Sequence, residues 1–286
     1  MPQNITALSI DNFSFDGSNF ILAEIQGIEF PTVRLPRFNL PGASGGFVSN
    51  ALYGERSIRI KGYINAPDGK SSTFMNNRTT FINTFAYKRD IYNNLLPQNL
   101  SVTTSNGQTL TTAVYVDGAI SAPFPADQIE WVEFLITLVA PDPNLYSTVQ
   151  SVTTINLASG GGMAVPASVP FNISAGSGGS GVVNNSGGNI VFPTITLTAP
   201  LNTPFLTNFN TNLFIKLNTN LTIGQNPLVI NCSAQTITQG ANDVTSIKSV
   251  DSNFFYLMSG NNNIGFSAAS GSGQASISFY PNYLGI

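Results

Sequence analysis

In the first half of the chain, one segment shows a strict alternation of apolar and polar side chains. In the segment 57–64, Ile58, Ile60 and Ile64 share one face of an extended strand, and charged or aromatic side chains lie between them. This period of two predicts a β-strand with one buried face. Further strands are predicted at 19–30 and 110–117, and large apolar residues on both faces of 129–139 predict a strand buried on two sides. Together these strands indicate a small sheet or barrel.

A helical period replaces this alternation only once. Between residues 71 and 93 the apolar side chains fall three or four positions apart, from Phe74 to Tyr92, and Pro97 follows as a stop signal. We therefore predict one α-helix at about 71–93. Upstream, residues 34–55 are too rich in proline and glycine for regular structure, which predicts an extended arm that reaches another surface.

Beyond residue 170 the pattern changes to short alternating runs separated by Gly- and Asn-rich turns. Their spacing is typical of an antiparallel β-sandwich. Glycine is concentrated at 156–169, so we predict a linker there between a domain at 1–155 and a second domain at 170–286. The runs that predict strands are Ile195–Leu197, Leu213–Leu217, Leu221–Ile223, Leu228–Ile230, Phe254–Met258 and Ala275–Phe279.

The composition favours a protein that is packed against neighbours. Charged residues make up 9% of the 286-residue chain, against about 25% in an average soluble domain. A surface with so few charges does little to keep free monomers apart. The net charge of −3 argues against nucleic acid as a main partner, and no sequence-specific nucleic-acid module is present.

The residue inventory excludes most catalytic schemes. The chain has no histidine, which removes the usual general base and the commonest metal ligand, and its single cysteine, Cys232, is expected to be a buried small side chain. The glycines at 176–181 match a dinucleotide-binding spacing, but no helix pattern follows and we interpret them as a flexible loop. We predict no enzyme activity, no cofactor and no metal.

The acidic residues offer only a weak route to hydrolysis. Glu130 and Glu133 are close in sequence, but positions three apart on a strand point to opposite faces, and Asp127 and Asp142 are isolated. Aromatic residues of the second domain could stack on a sugar ring, although sandwich core is the favoured interpretation for each of them. These residues are Phe205, Phe209, Phe214, Tyr280 and Tyr283.

The densest basic cluster has two interpretations. Its side chains could contact a phosphate backbone, or they could pair with Glu24, Glu29, Glu55 or acids of a neighbouring subunit. We favour the second. The cluster consists of Arg34, Arg37, Arg56, Arg59 and Lys61.

The first residues lack a basic region followed by an apolar run, so we expect synthesis and residence in a cytoplasm. The longest apolar run, 131–140, contains Glu133 and is far shorter than the roughly 18 residues that a membrane span needs. We expect no membrane segment.

The order of these segments resembles the distal tail proteins of siphophages, the Dit family. In the first domain the resemblance rests on Arg-Leu-Pro-Arg at 34–37 with the Pro-Gly arm, on 55–64, and on Ala-Pro-Asp-Pro-Asn-Leu-Tyr at 140–146. In the second domain it rests on 184–197, 221–230 and 252–264. The chain departs from the family pattern at Asn231-Cys232, where an acidic residue is usual, and in its Gly-rich 156–189 region.

The resemblance implies a mainly β protein: a ring-forming N-terminal domain of β-barrel or split-barrel type with one helix, and a galectin-like sandwich at the periphery. The ring is usually a hexamer and joins the tail tube to tail-tip or Tal-like hub proteins, without catalysis. The expected location is the tail tip of a virion assembled in the host cytoplasm, and receptor-binding proteins or host glycans are further possible partners. The basic cluster would then lie at subunit contacts or the lumen. The alternative is a carbohydrate-binding adhesin of a phage tail.

Overall fold

The computed structural model describes residues 4–39, 41–42, 44–123, 130–157 and 177–286. The chain forms two compact units. The first unit contains Met1–Thr148 together with Tyr283–Ile286, and the second contains Val149–Asn282. Both units are built mainly from antiparallel strands, which confirms the predicted fold class.

The first unit contains twelve strands and one α-helix within its described residues. A continuous hydrogen-bonded path runs β2-β1-β9-β10-β11-β8-β3, and β12 pairs with β10. The strands are β1 Ile5–Ile10, β2 Phe13–Ser14, β3 Phe20–Gln26, β4 Val33–Arg34, β5 Arg37–Asn39, β6 Gly46–Val48, β7 Leu52–Tyr53, β8 Arg56–Asn65, β9 Gln98–Thr104, β10 Thr109–Val116, β11 Trp131–Ala140 and β12 Leu145–Ser147; the helix is α1 Ser71–Thr84.

Strand β8 contributes one buried face to the core of this unit, as its alternation predicts. Ile58, Ile60 and Ile64 are completely buried, and β8 pairs with β11 along its whole length and with β3 on its other side. Helix α1 covers the same core with Phe74 and Phe81. The ring centroids of Phe81 and Phe134 lie 4.5 Å apart, within a cluster of phenylalanines that joins the helix to the sheet.

The helix ends nine residues before its predicted C-terminus. Its last hydrogen bond runs from the Phe85 amide to the Phe81 carbonyl, and a tight turn follows in which the Asp90 carboxylate accepts the amides of Tyr92 and Asn94. Asp and Asn side chains favour turns because they bond neighbouring backbone groups. Ile91 and Tyr92 are consequently 91% and 79% exposed rather than part of a buried helix face.

The second unit contains two larger sheets and a three-stranded one, β19-β16-β24, around one shared core. Its larger sheets run β13-β25-β15-β20-β21-β22 and β14-β23-β17-β18, and side chains from both form one hydrophobic cluster. The strands are β13 Ser151–Asn156, β14 Ser177–Asn185, β15 Thr194–Thr198, β16 Leu201–Asn202, β17 Phe205–Asn208, β18 Leu213–Lys216, β19 Asn220–Leu221, β20 Leu228–Asn231, β21 Thr236–Gln239, β22 Asn242–Asp243, β23 Gly260–Ala268, β24 Ser270–Gly271 and β25 Gln274–Phe279; a 3₁₀ turn spans Thr245–Ile247, and β26 is Asn282–Tyr283.

Three sequence predictions for this unit need correction. The segment 254–258 is not a strand and forms only an isolated bridge, between Leu257 and Val191. Ile223 follows β19 and is 82% exposed. The glycines at 178, 179 and 181 are part of β14 rather than a loop. Position 179 needs glycine, because a Cβ there would lie 2.0 Å from the carbonyl oxygen of Asn156 on β13.

The division between the units lies at Thr148/Val149, earlier than the predicted end of the first domain at 155. Strand β13 pairs with β25 throughout, from Ser151↔Phe279 to Asn156↔Gln274, and so belongs to the second unit. The predicted linker at 156–169 lies outside the described residues except for Asn156 and Leu157, and Leu157 is buried in the second core. Among the described helices, none is both long and apolar enough to span a membrane.

Candidate functional site

The predicted arm is a two-step β-hairpin. Its base is formed by β4 and β7, where Val33 pairs with Tyr53, and its outer part is formed by β5 and β6, where Phe38 pairs with Phe47. The prediction of an extended segment is correct, but the prediction that it lacks regular structure is wrong. Cross-strand pairing satisfies the backbone here despite the high proline and glycine content, because Pro36 falls between the two ladders and still accepts the Ser49 amide.

Every residue in the four strands of the arm is exposed. The Phe38 and Phe47 rings stack on each other at 5.4 Å between centroids, yet each remains half exposed. Leu52 is 65% exposed. Clusters of exposed apolar side chains of this kind mark contact surfaces, so the arm carries the features of an interaction element.

The basic residues predicted as one cluster lie in three different places: on the arm, on the outer face of β8 and, for Arg56, in the interior of the first unit. Arg34 and Arg37 are exposed on the arm, whereas Arg59 and Lys61 lie on the outer face of β8. Lys61 pairs with Glu133 on β11 at 2.7 Å, and the hydrogen bond with Glu133 raises the pKa of Lys61. Arg34, Arg37 and Arg59 form no ion pair with any acidic side chain of the described residues.

Arg56, predicted as a contact or lumen residue, is buried inside the first unit. Its side chain is 1% exposed, because Arg56 shares the inward face of β8 with Ile58. The guanidinium donates hydrogen bonds to the carbonyls of Gly27, Pro143 and Leu284, at 2.7 to 3.1 Å. It therefore ties together three distant parts of the first unit.

The acidic residues considered from the sequence have separate surroundings where the structure describes them. Glu133 is occupied by Lys61, and Glu130 precedes β11. The Asp142 carboxylate accepts the Tyr146 hydroxyl at 2.6 Å, and burial together with this bond raises the pKa of Tyr146 to about 12. Asp127 lies outside the described residues. Within the described ranges no three acidic or cysteine side chains converge as metal ligands would.

Cys232 is buried in the core of the second unit, as predicted. Burial raises the pKa of its thiol to about 12, so the thiolate that nucleophilic chemistry needs does not form near neutral pH.

The aromatic residues of the second unit divide into two groups. Phe205 and Phe214 are partly buried and pack against each other at 5.3 Å, and Tyr283 is also partly buried. Phe209 and Tyr280 are 58% and 49% exposed, so the core interpretation is wrong for these two. Sequence alone also missed the exposed apolar residues of the arm as contact residues; their concentration next to Pro and Gly is the signal that could have identified them.

Residues 187–283 match the family model of the siphovirus-type tail component, C-terminal domain, of SPP1 Dit type. The fold is similar to the crystal structure of the SPP1 Dit protein (gp 19.1), described as a hub adsorption apparatus of phages that infect Gram-positive bacteria, with a TM-score of 0.68 and 12% identity over 96% of this chain and 98% of that one. Two structures of the phage P2 baseplate in its activated conformation, with Ca and with Sr, align at a TM-score of 0.45 and 10% identity, over 95% and 96% of this chain and 97% of each matched chain. No curated protein matches significantly. The family model in the C-terminal part and the shared fold over nearly the whole length together confirm the resemblance of this chain to the Dit family of distal tail proteins.

Proposed function

We propose that this protein is a structural, non-catalytic hub of a phage tail, and that its first unit assembles into a closed homo-oligomeric ring, with six copies as the expected number. The ring would join the tail tube to tail-tip proteins at the distal end of the tail, after assembly in the host cytoplasm. The second unit would be a peripheral, galectin-like sandwich. The match to a siphovirus tail component and the Dit fold support this role.

The exposed arm is the observation that carries the ring proposal. A closed ring needs a heterologous contact, in which one patch of each copy binds a different patch of the next. The arm offers one such patch, since it presents the Phe38–Phe47 pair and Leu52 to solvent. Covering these side chains in the ring would remove apolar surface that a free monomer leaves in contact with water.

The basic side chains support the same arrangement. Two of the three intrachain partners expected for the arginines have other hydrogen bonds, since Glu24 accepts the Gln26 side-chain amide and Glu29 accepts the Gly27 backbone amide, and Glu55 forms no ion pair within the described residues. Arg34, Arg37 and Arg59 are thus available for acids of the next subunit or for the lumen, where Arg favours bidentate contacts with carboxylates. Lys61 would contribute together with its partner Glu133.

The native mass across a dilution series tests the proposal. A hexamer of the 30.3 kDa chain has a mass of about 182 kDa. We expect this species for the wild type and its loss in a Phe38→Ser/Phe47→Ser variant. Val250→Ser is the matched control, because Val250 is a fully exposed apolar side chain that belongs to the second unit and not to the arm.

Three outcomes would contradict the proposal. A wild type that stays monomeric at high micromolar concentration removes self-assembly. A ring that forms equally well without the two phenylalanines removes the arm as the contact. A Val250→Ser variant that dissociates as readily as the arm variant shows that the loss is not specific to the arm.

A further inference from the structure

The outer face of the sheet β14-β23-β17-β18 carries an exposed aromatic side chain, Phe209, which has no role in the proposed oligomeric ring. We call Phe209 and the surface around it the Phe209 platform. Phe209 follows β17 directly, and its amide donates to the Asn263 carbonyl at 3.0 Å, which continues the pairing with β23. The edge of its ring lies over Gly265, where an added Cβ would be 2.9 Å from Cε2 and Cζ. The side chain thus lies along the sheet, and 58% of it is exposed.

The backbone beneath this platform is firmly held. The Asn210 side chain ties the segment after β17 to β23. Its Oδ1 accepts the Asn263 amide at 2.7 Å, and its Nδ2 donates to the Asn261 carbonyl at 3.2 Å. The neighbouring positions on β14 are small, since Ser180 lies opposite Gly265 and Val182 lies opposite Asn263. A flat, rigid surface with a central aromatic ring results.

Exposed amides follow the Phe209 side chain along β23 and β14, beginning at Asn263, which lies across from Phe209. Asn184, Asn261 and Asn263 are exposed on β14 and β23, and Asn184 pairs with Asn261 across the two strands. Their side-chain amides bond no other group within the described residues. Each amide offers both a donor and an acceptor, so together they can bind hydroxyl groups in either direction.

The part of this face around Phe209 carries no charged residue; the charged side chain of this sheet, Lys216, lies at the far end of β18, opposite Phe205. The second unit contains four charged residues, Lys216, Asp243, Lys248 and Asp251, and none of them is on β14, on β23 or next to Phe209 in sequence. A charged ligand would leave its charge without a partner here, whereas a neutral one would not. An aromatic surface with uncommitted amides and no ions matches a ring that has apolar C–H faces and hydroxyl edges.

We propose that the Phe209 platform is a binding site for a neutral saccharide. A pyranose ring would place its C–H face on Phe209, and its hydroxyls would exchange hydrogen bonds with the amides of Asn261 and Asn263. The binding would be weak and shallow for one site, because the platform is open on one side. The site does not depend on the oligomeric ring. A protein that fails to form hexamers could still bind sugar, and a protein that forms hexamers could lack sugar binding.

A glycan array followed by titration tests the site on the full-length protein. The probes are neutral oligosaccharides of glucose, galactose, mannose, rhamnose and N-acetylglucosamine, with sialylated and sulfated glycans as charged comparisons. We expect binding to at least one neutral probe, weakened about tenfold in Phe209→Ala. Asn263→Ala should weaken the same probe, and its exposed, unbonded side chain makes a folding defect unexpected.

Phe192→Ala is the matched control, because Phe192 is 49% exposed in the same unit but lies outside this sheet. It should leave the affinity unchanged. Absence of binding to every neutral probe, binding confined to charged glycans, or an affinity that survives both Phe209→Ala and Asn263→Ala would each overturn the proposal. Equal weakening by Phe192→Ala would do so as well, since it would place the sugar elsewhere.

Discussion

Replacement of Arg56 by alanine should destabilise the first unit by about 3 kcal/mol. The guanidinium satisfies the carbonyls of Gly27, Pro143 and Leu284 with four hydrogen bonds. These carbonyls belong to half-buried residues, so each loses about 1 kcal/mol when left unpaired. Loss of the packed side-chain stem adds about 1–2 kcal/mol, and relief from burying a charge offsets part of the total.

Urea unfolding followed by Trp131 fluorescence measures this effect, because Trp131 is the single tryptophan and lies on β11 next to β8. All variants are compared at one protein concentration, since assembly also contributes to apparent stability. Arg56→Met keeps the stem and should lose about 2 kcal/mol. Ser57→Ala, on the exposed face of the same strand, should stay within about 0.5 kcal/mol of wild type. A loss of less than about 1 kcal/mol for Arg56→Ala would refute the structural role.

Two further changes probe close packing. Gly62→Ala should lower the free energy of unfolding by about 2–3 kcal/mol, because its Cβ would lie 2.2 Å from the Ile21 carbonyl oxygen and 2.6 Å from Cζ of Phe134. Gly188→Ala, which meets open space, should be neutral in the same denaturation assay, and equal stability of the two variants would contradict the packing. The Cys232 thiol, whose pKa burial raises to about 12, should resist a thiol reagent at pH 8 in the native protein and react fully in guanidinium. Burial favours the neutral thiol over the thiolate. The contribution of the buried neutral thiol to the free energy of unfolding is therefore fully present below the unfolded-state pKa near 9.0, and it is lost as the pH rises toward 12. Labelling at the same rate in the native and the denatured protein would show that Cys232 is accessible.

Local alternation predicted the strands best where one face is buried. The segment 57–64 lies within β8, because a shift of one residue would have moved three isoleucines to solvent. The same alternation already places residue 56 on the inward face with Ile58. The sequence could not show that a charge is tolerated there, since its acceptors are residues 27, 143 and 284, which only the folded chain brings together.

Other features depended on competition between local preferences. The apolar spacing continues past Thr84, but the Asp90 carboxylate offers the backbone a turn, and the helix ends at Thr84. Glycine and proline in the arm suggested irregular structure, whereas the pairing of Phe38 with Phe47 holds a hairpin. Similarly, Phe209 and Phe205 differ in exposure because they lie at opposite ends of β17, which composition cannot indicate.

The hydrogen bond from Arg56 to Leu284 also sets an order of events during synthesis. The two residues are 228 positions apart, so at about 5–20 residues per second Leu284 is made on the order of 10–50 s after Arg56. During that interval the whole chain of the second unit is synthesised, while the first unit lacks one of the acceptors in its core. The first unit thus reaches its full stability only after the chain of the second unit is complete.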